Sequence, residues 1–468
     1  MSPVSRIRST PEDPNGIVRQ YAANAPFRSA TSEEMVNHDN PFRRPVRPHD
    51  LGFLDYGEPL PADEALRLRG LLGHRMLRTV YDADLLFLPA GGDDHPSRQD
   101  AAAFRSAENR ILGRKAAVVL EDHLFSWLDE DRPEPAGTGV DALVRHVQGV
   151  LEERRTHPGR ALKVAAGCRH RREAALFSLV QLTAVHPAAL SAVGRNLLGD
   201  YDTAHPALRG LLLDDYRDRA GRAPLYRRLL AAADLSAEPY AYWQFLLSSA
   251  LGTANHLHRV AHDHGRFGEF LGAWTHHRLD EAATAPARAD LVREGLGIEH
   301  PAYFADAPRP SADDLAALVT ALVGPLADRY GEEAVTAFHR GFEDARRLAA
   351  VHDEDLAVQL DWADRLDEYR VKAEKLDALI RERNIEVDLE TFVESHEETS
   401  TTHVHDDHRL VVVEVGQMHF WNNVNQQIPM NEGDKLLIPA ERLHGSMVLS
   451  GTCTYHQPVI SDDLLAQV

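Results

Sequence analysis

Residues 402–410 read THVHDDHRL, and the apolar run LVVVEVG begins at the last of them. In a β-strand, side chains i and i+2 point to the same face. His403 and His405 can therefore offer two imidazoles to one metal ion. The spacing alone does not single them out. The chain has 26 His, and the same H-x-H spacing recurs at His256/His258 and His262/His264. The surroundings differ: short β-type runs follow His405, whereas the other two pairs lie in helical patterning.

A third ligand is expected from a later strand, pointing inward. The stretch GDKLLIPAERLHG offers His444, with Gly433, Pro439 and Glu441 at fixed offsets before it. This arrangement resembles the second motif of the cupin family. The first cupin motif asks for H-x-H, then a Glu, then a Gly. Gly416 is in place, but Arg409 stands at the Glu position, and Glu397 stands where Gly is usual. The resemblance thus implies a metal site of three neutral histidines, His403, His405 and His444, without a carboxylate. Three nitrogen ligands leave about three open positions on an octahedral ion. That suits a chelating substrate together with dioxygen. Fe(II) is the expected metal, with Zn, Ni and Cu left open.

Three neighbours are candidate catalytic residues. Arg409 beside a cation is repulsive unless it turns away or pairs with an anionic substrate group. Arg442 is a similar carboxylate clamp, although an exposed arginine is the ordinary alternative for each. Tyr455 falls in the last strands, where its hydroxyl can meet substrate or its ring can simply line the wall. His408 and His419 are read as bystanders.

The elements that must carry these residues change character at Asn384. Before it the periodicity is helical: Ala62–Leu128, Arg171–Leu198, Leu208–Ala233, Pro239–Thr275, Ser311–Tyr330 with Ser311 and Asp314 as a capping box, and about Glu354 to Arg383. Residues 1–55 read as irregular, and DEDRPEPAGTG (129–139) as a break. After Asn384, LVVVEV, MHFW, KLLIP and CTYHQPVI alternate with turn residues, as in a small β-barrel or jelly roll. The expected fold is multidomain: all-α N-terminal and central regions, then an all-β C-terminal barrel.

Composition bounds the rest. Hydrophobic residues make up 43% of the chain, as in ordinary globular proteins. No apolar run is expected to reach the roughly 20 residues of a membrane span, and the N-terminus shows no export signal. Only two cysteines occur, which fits a reducing cytoplasm. A formal charge of −21 disfavours a nucleic-acid surface. Abundant Arg and Ala over Lys suggest a bacterial source.

Over nearly its whole length the chain resembles the N-nitrosating metalloenzyme family of streptozotocin biosynthesis. The resemblance rests on NHDNPFRR (Asn37–Arg44), YDADLLFLP (Tyr81–Pro89), RNLLGDY (Arg195–Tyr201), LLLDDY (Leu211–Tyr216), YWQFLLSS (Tyr242–Ser249) and the segment around the three histidines. It implies a helical dimerisation region (1–135), a heme-oxygenase-like helical domain (136–383) and a cupin metal-binding domain (384–468). In that family the central domain holds two irons and N-hydroxylates the guanidine of a methylated arginine. The three-His cupin iron then rearranges the product oxidatively into an N-nitrosourea.

This chain departs from the family in its centre. Asp215 stands at the first carboxylate. No histidine occurs between His205 and His256, Arg222 falls near the expected one, and Arg278 falls near the next carboxylate. The late helix, FADAPRPSADDLAAL, also lacks its histidines. A substitute pair, His258 and His262, has no acidic partner helix, and His276/His277 fare no better. The expected protein is therefore a cytoplasmic homodimer carrying one Fe(II) per chain, with dioxygen as co-substrate. It would rearrange a guanidine or N-hydroxy amino-acid substrate supplied by a separate N-oxygenase. The alternatives are a different cupin dioxygenase on another nitrogenous small molecule, or a non-catalytic partner of that N-oxygenase.

Overall fold

The computed structural model describes residues 13–24, 54–83, 85, 105–130, 137–199, 207–238, 241–396, 399–424 and 426–468. The stretch Asn37–Arg44, residues 86–89, Asp200, Tyr201 and Glu397, which figure in the sequence reading, lie outside them. Contacts divide the chain into two compact units, one of residues up to 65 and 69–131, the other of 66–68 and 132–468.

The first unit contains α1 (Pro14–Ala22), α2 (Leu68–Asp82) and α3 (Ala107–Phe125). Residues 1–55 are expected to be irregular, yet α1 is a helix within them. Asp13 caps it, accepting from the Gly16 N–H at 2.7 Å, and Pro14 occupies the first turn, where its missing N–H costs nothing. The Asn24 amide reaches Asn109 of α3 at 2.9 Å. Ser106 caps α3 in the same way, accepting from the Asn109 N–H.

The second unit begins with α4 (Gly139–Thr156), α5 (Arg160–Gly167), α6 (Arg171–Leu197) and α7 (Leu208–Ala232). It continues with α8 (Ser248–His262), α9 (Phe267–Leu296), α10 (Ala302–Ala305), α11 (Ala312–Tyr330), α12 (Glu332–Asp364) and α13 (Leu366–Arg383). Ser311 and Asp314 form the expected capping box on α11. The segment Pro239–Thr275 is not one helix: it breaks into a single turn at Trp243–Phe245, then α8, then α9. The helix expected from about Glu354 is likewise two, with the break at Arg365. Helices α9 and α12 meet at glycines: a Cβ on Gly272 would overlap the Phe338 carbonyl, and one on Gly341 the Glu269 carbonyl. Against the expectation of no membrane-length apolar run, α6 is long and apolar enough to cross a bilayer. Some 72% of its apolar window is buried inside the protein, however, as in a core helix.

Among the described residues nine short strands follow: β1 (Thr391–Ser395), β2 (Thr399–His403), β3 (His408–Val415), β4 (Gln417–Asn423), β5 (Gln426–Asn431), β6 (Lys435–Ile438), β7 (His444–Val448), β8 (Thr452–His456) and β9 (Val459–Ile460). A last turn of helix, α14, spans Asp462–Leu465. The strands form two antiparallel sheets, β1-β8-β3-β6 with β9 on β3, and β2-β7-β4-β5. The expected barrel is therefore not closed. Period-2 alternation sets the two faces of β3. Val411 and Val413 join Phe420, Ile428, Ile438 and Tyr455 in a core that also takes Trp362 of α12. Leu410 turns to the opposite face, with Leu437, Ile460 and residues of α13. Gly416, between β3 and β4, has φ +95°, and a Cβ there would strike the Thr452 carbonyl, so the motif glycine is a conformational necessity.

Candidate metal centre

His403 ends β2 and His444 starts β7, and they are direct partners across that antiparallel pair. A register irregularity between Ser400 and His403 precedes them. His405 lies just past the strand end, where its carbonyl accepts the Glu441 N–H at 2.8 Å. The ring centroids of His403 and His444 are 4.6 Å apart, those of His403 and His405 4.8 Å, and those of His405 and His444 5.2 Å. One nitrogen from each lies within 4.8 Å of the others. His403 Nδ1 meets the Thr401 carbonyl at 2.9 Å, and His444 Nδ1 meets the Arg442 carbonyl at 2.8 Å. A carbonyl can only accept, so in both rings the proton is on Nδ1 and the Nε2 lone pair is left for a metal.

His444 Nε2 is buried and has no hydrogen-bond partner among the described residues. Burial, with His403 alongside, lowers its pKa to about 3. A buried imidazole held neutral, with an unpaired nitrogen facing two more histidines, is the donor set of a transition-metal site. The residues present therefore fit a metal bound by three neutral nitrogens.

The candidate neighbours are placed as follows. Arg409 shares the inward face of β3 with Val411 and Val413, but its guanidinium pairs with Asp407, Glu390 and the Gln457 carbonyl. It is turned onto the protein's own carboxylates. Tyr455 lies in the core between the sheets, 4% exposed, with its ring stacked on Phe392. The Arg442 guanidinium donates to the Ala440 carbonyl at 3.0 Å, and burial lowers its pKa from the usual arginine range. His408 bridges the Ala440 N–H and Asp462, and so fixes the loop before His444. His419 packs against Trp421 on β4.

Two glutamines that the sequence did not single out tie this site to the helices. Gln359 of α12 donates to the Glu441 carbonyl at 2.7 Å and accepts the Leu443 N–H at 3.0 Å. It thus holds both sides of the turn that presents His444. Glu441 has φ +65°, a conformation that costs a non-glycine residue about 1–2 kcal/mol and needs such support. Gln359 also donates to Asp355 at 3.1 Å; Asp355 accepts from Ser249, whose oxygen lies 2.9 Å from His352 Nδ1. Gln181 of α6 grips the Trp243–Phe245 turn through the Phe245 carbonyl and the Leu247 N–H, both at 2.9 Å. The Thr402 hydroxyl, next to His403, donates to Gln244 of that turn.

The central helices are arranged differently. Asp215 accepts from Arg219 at 2.8 Å and from the Trp274 indole at 2.7 Å, with Arg278 at 3.5 Å. Arg219 also donates to Glu281 of α9 at 2.9 Å. Burial alone would lower the Arg219 pKa, but Glu281 and Asp215 raise it. A guanidinium thus joins two carboxylates on facing helices, and these residues do not fit a pair of irons. Arg222 donates instead to the Tyr303 carbonyl. His258 and His262 have ring centroids 6.0 Å apart, and among the described residues they gather no third ligand. A second cluster, His146, His339 and Glu343, has its ligand atoms within 4.8 Å. Arg346 bonds both Glu343 oxygens, so that carboxylate already has its counter-charge. The i, i+4 spacing of His339 and Glu343 was the sequence signal for this cluster.

No family model matches the chain. It is 28% identical over 449 residues to the nitrosourea synthase of Streptomyces achromogenes subsp. streptozoticus, covering 95% of this chain and 94% of that one. With both lengths spanned almost end to end, the chain is a homologue of that nitrosourea synthase.

Proposed function

We propose that this protein is a mononuclear non-heme iron enzyme of the cupin type. It rearranges an N-hydroxylated guanidine or amino-acid derivative oxidatively, forming an N–N bond in natural-product biosynthesis. The observation that carries this is the converging His403, His405 and His444, whose buried His444 Nε2 has no hydrogen-bond partner among the described residues. Similarity to a nitrosourea synthase over 95% of the chain supports the reaction class.

The chain's own residues would act in three ways. The Thr401 and Arg442 carbonyls hold the Nδ1 protons of His403 and His444, so the nitrogens facing the site stay unprotonated. The ligand set carries no negative charge, which leaves the metal's full charge to attract an anionic N-hydroxy group. Arg409, paired with Asp407 and Glu390, keeps its own cation occupied elsewhere. Fe(II), when bound, would supply the redox chemistry with dioxygen.

The paired Asp215, Arg219 and Glu281 support a further division of labour. The helical part would serve as scaffold, and a separate N-oxygenase would supply the hydroxylated substrate. On the same reading the protein is a cytoplasmic homodimer. The test is anaerobic loading with Fe(II), addition of methylarginine or its N-hydroxylated form, then oxygen and mass spectrometry of the products. Methylarginine should survive and the N-hydroxy compound should be consumed. Turnover of methylarginine itself would refute the division of labour. Failure of every N-hydroxy compound with iron bound would favour a non-catalytic binding partner.

A further inference from the structure

The helical part of the second unit contains a cavity that opens to solvent. Leu182 and Val185 of α6, Leu257 of α8, and Leu348 and Leu356 of α12 give it apolar walls. Most of its polar wall is already paired. Asp280 takes Arg154 at 2.7 Å, and Glu281 takes Arg219 at 2.9 Å. Arg222 is spent on the Tyr303 carbonyl and stacks over that ring, 4.7 Å from its centroid. The Tyr303 hydroxyl meets His186 at 3.0 Å. Asp353 accepts the Arg160 and Ala161 N–H groups at the start of α5.

Among the described guanidiniums of this wall, Arg288 is the one without an ion pair. Its Nε donates to Thr284 at 3.1 Å. Its remaining N–H groups make no hydrogen bond or ion pair among the described residues, though the side chain lines the cavity. Five donors in a rigid fork are matched to a planar two-oxygen anion, and Arg288 is half-buried where it lines the cavity. Burial lowers the Arg288 pKa, and the attraction of Asp280 and Glu281 does not restore it.

We propose that this cavity binds a small aliphatic carboxylate. The carboxylate oxygens take the free N–H groups of Arg288, and the hydrocarbon chain lies on Leu182, Val185 and Leu257. A monoanion suits the site better than a phosphate dianion. Among the described lining residues only one guanidinium lacks an ion pair, and a second negative charge would face Asp280 and Glu281 unmatched. Apolar walls with a few oriented polar groups are the usual make-up of a small-molecule site. The proposal is independent of the metal centre, because none of the three ligand histidines lines this cavity.

The test is calorimetric titration of the full-length protein with hexanoate, and with hexanamide as the uncharged match. Hexanoate should bind saturably at one site per chain, and hexanamide should not. Arg288→Gln should weaken hexanoate about tenfold or more, the worth of a charge-assisted pair. His444→Ala, which removes a proposed metal ligand, should leave hexanoate affinity unchanged. If Arg288→Gln does not fold, Arg288→Lys keeps the charge but not the fork, and it should still weaken binding severalfold. Absence of saturable hexanoate binding, equal binding of hexanamide, or unchanged affinity in the folded Arg288 variant would overturn the proposal.

Discussion

At the scale of the residue, the chemistry rests on where each imidazole puts its proton. His403 and His444 spend Nδ1 on backbone carbonyls and keep Nε2 for a metal. Loss of one nitrogen from a three-nitrogen set leaves too few ligands for tight binding. His403→Ala, His405→Ala and His444→Ala should therefore each lower bound metal from about one ion per chain to a small fraction, read by elemental analysis. Two or three irons per wild-type chain would instead contradict the closed Asp215–Arg219–Glu281 interior. A second residue reports on acid stability. Burial would raise the Glu343 pKa, but hydrogen bonds from His146 and Arg346 outweigh it and lower it from 4.5 to about 2. The folded state binds the proton less readily than the unfolded one, so the stabilisation is complete above pH 4.5 and is lost as pH falls towards 2. Its size is on the order of 3 kcal/mol. Denaturant melts at pH 6 and pH 3 should show the loss, and Glu343→Gln should remove that part of the pH dependence. The convergence of His403, His405 and His444 was legible in the sequence because one pair is two residues apart and the third histidine follows a recognisable Gly433, Pro439, Glu441 spacing. Arg409 was legible only as a conflict; that it turns to Glu390 depends on a residue nineteen positions away in sequence.

At the scale of the element, helix α12 does more than cover a sheet. Gln359 holds the Glu441 carbonyl and the Leu443 N–H, and so fixes the turn from which His444 projects. Groups that orient a ligand typically change metal affinity by about 10–100-fold when removed. Gln359→Ala should weaken metal binding by that order in a chelator competition, with the helical circular dichroism unchanged. An unchanged affinity would show that the turn supports itself. No sequence pattern marks Gln359, because its partners lie 82 and 84 residues on. The strands were easier to read: alternation and turn glycines are written within a few residues. The end of α12 at Arg365 was not readable, since helical periodicity runs through it without glycine or proline. The start of α1, within a stretch read as irregular, did carry a signal in Asp13–Pro14, a cap followed by a first-turn proline, that the reading passed over.

At the scale of the whole molecule, the proposed homodimer is expected to self-associate through the N-terminal region, where the sequence resemblance runs through Asn37–Arg44 and Tyr81–Pro89. A chain beginning near Val140 should be monomeric by light scattering, and the full-length chain dimeric at micromolar concentration. A full-length monomer would remove that assignment. Fold class was legible from the change of period at Asn384, but the open pair of sheets was not, because closure depends on pairings far apart in the chain. The Arg219 guanidinium has a consequence for life under iron starvation. A helical interior that needed two irons to balance its carboxylates would be left with buried, mutually repelling charge whenever the metal ran short. Here the counter-charge is encoded in the polypeptide and arrives with every copy translated. On the proposed reading the helices mature whatever the iron supply, and occupancy of the histidine site should rise and fall with it.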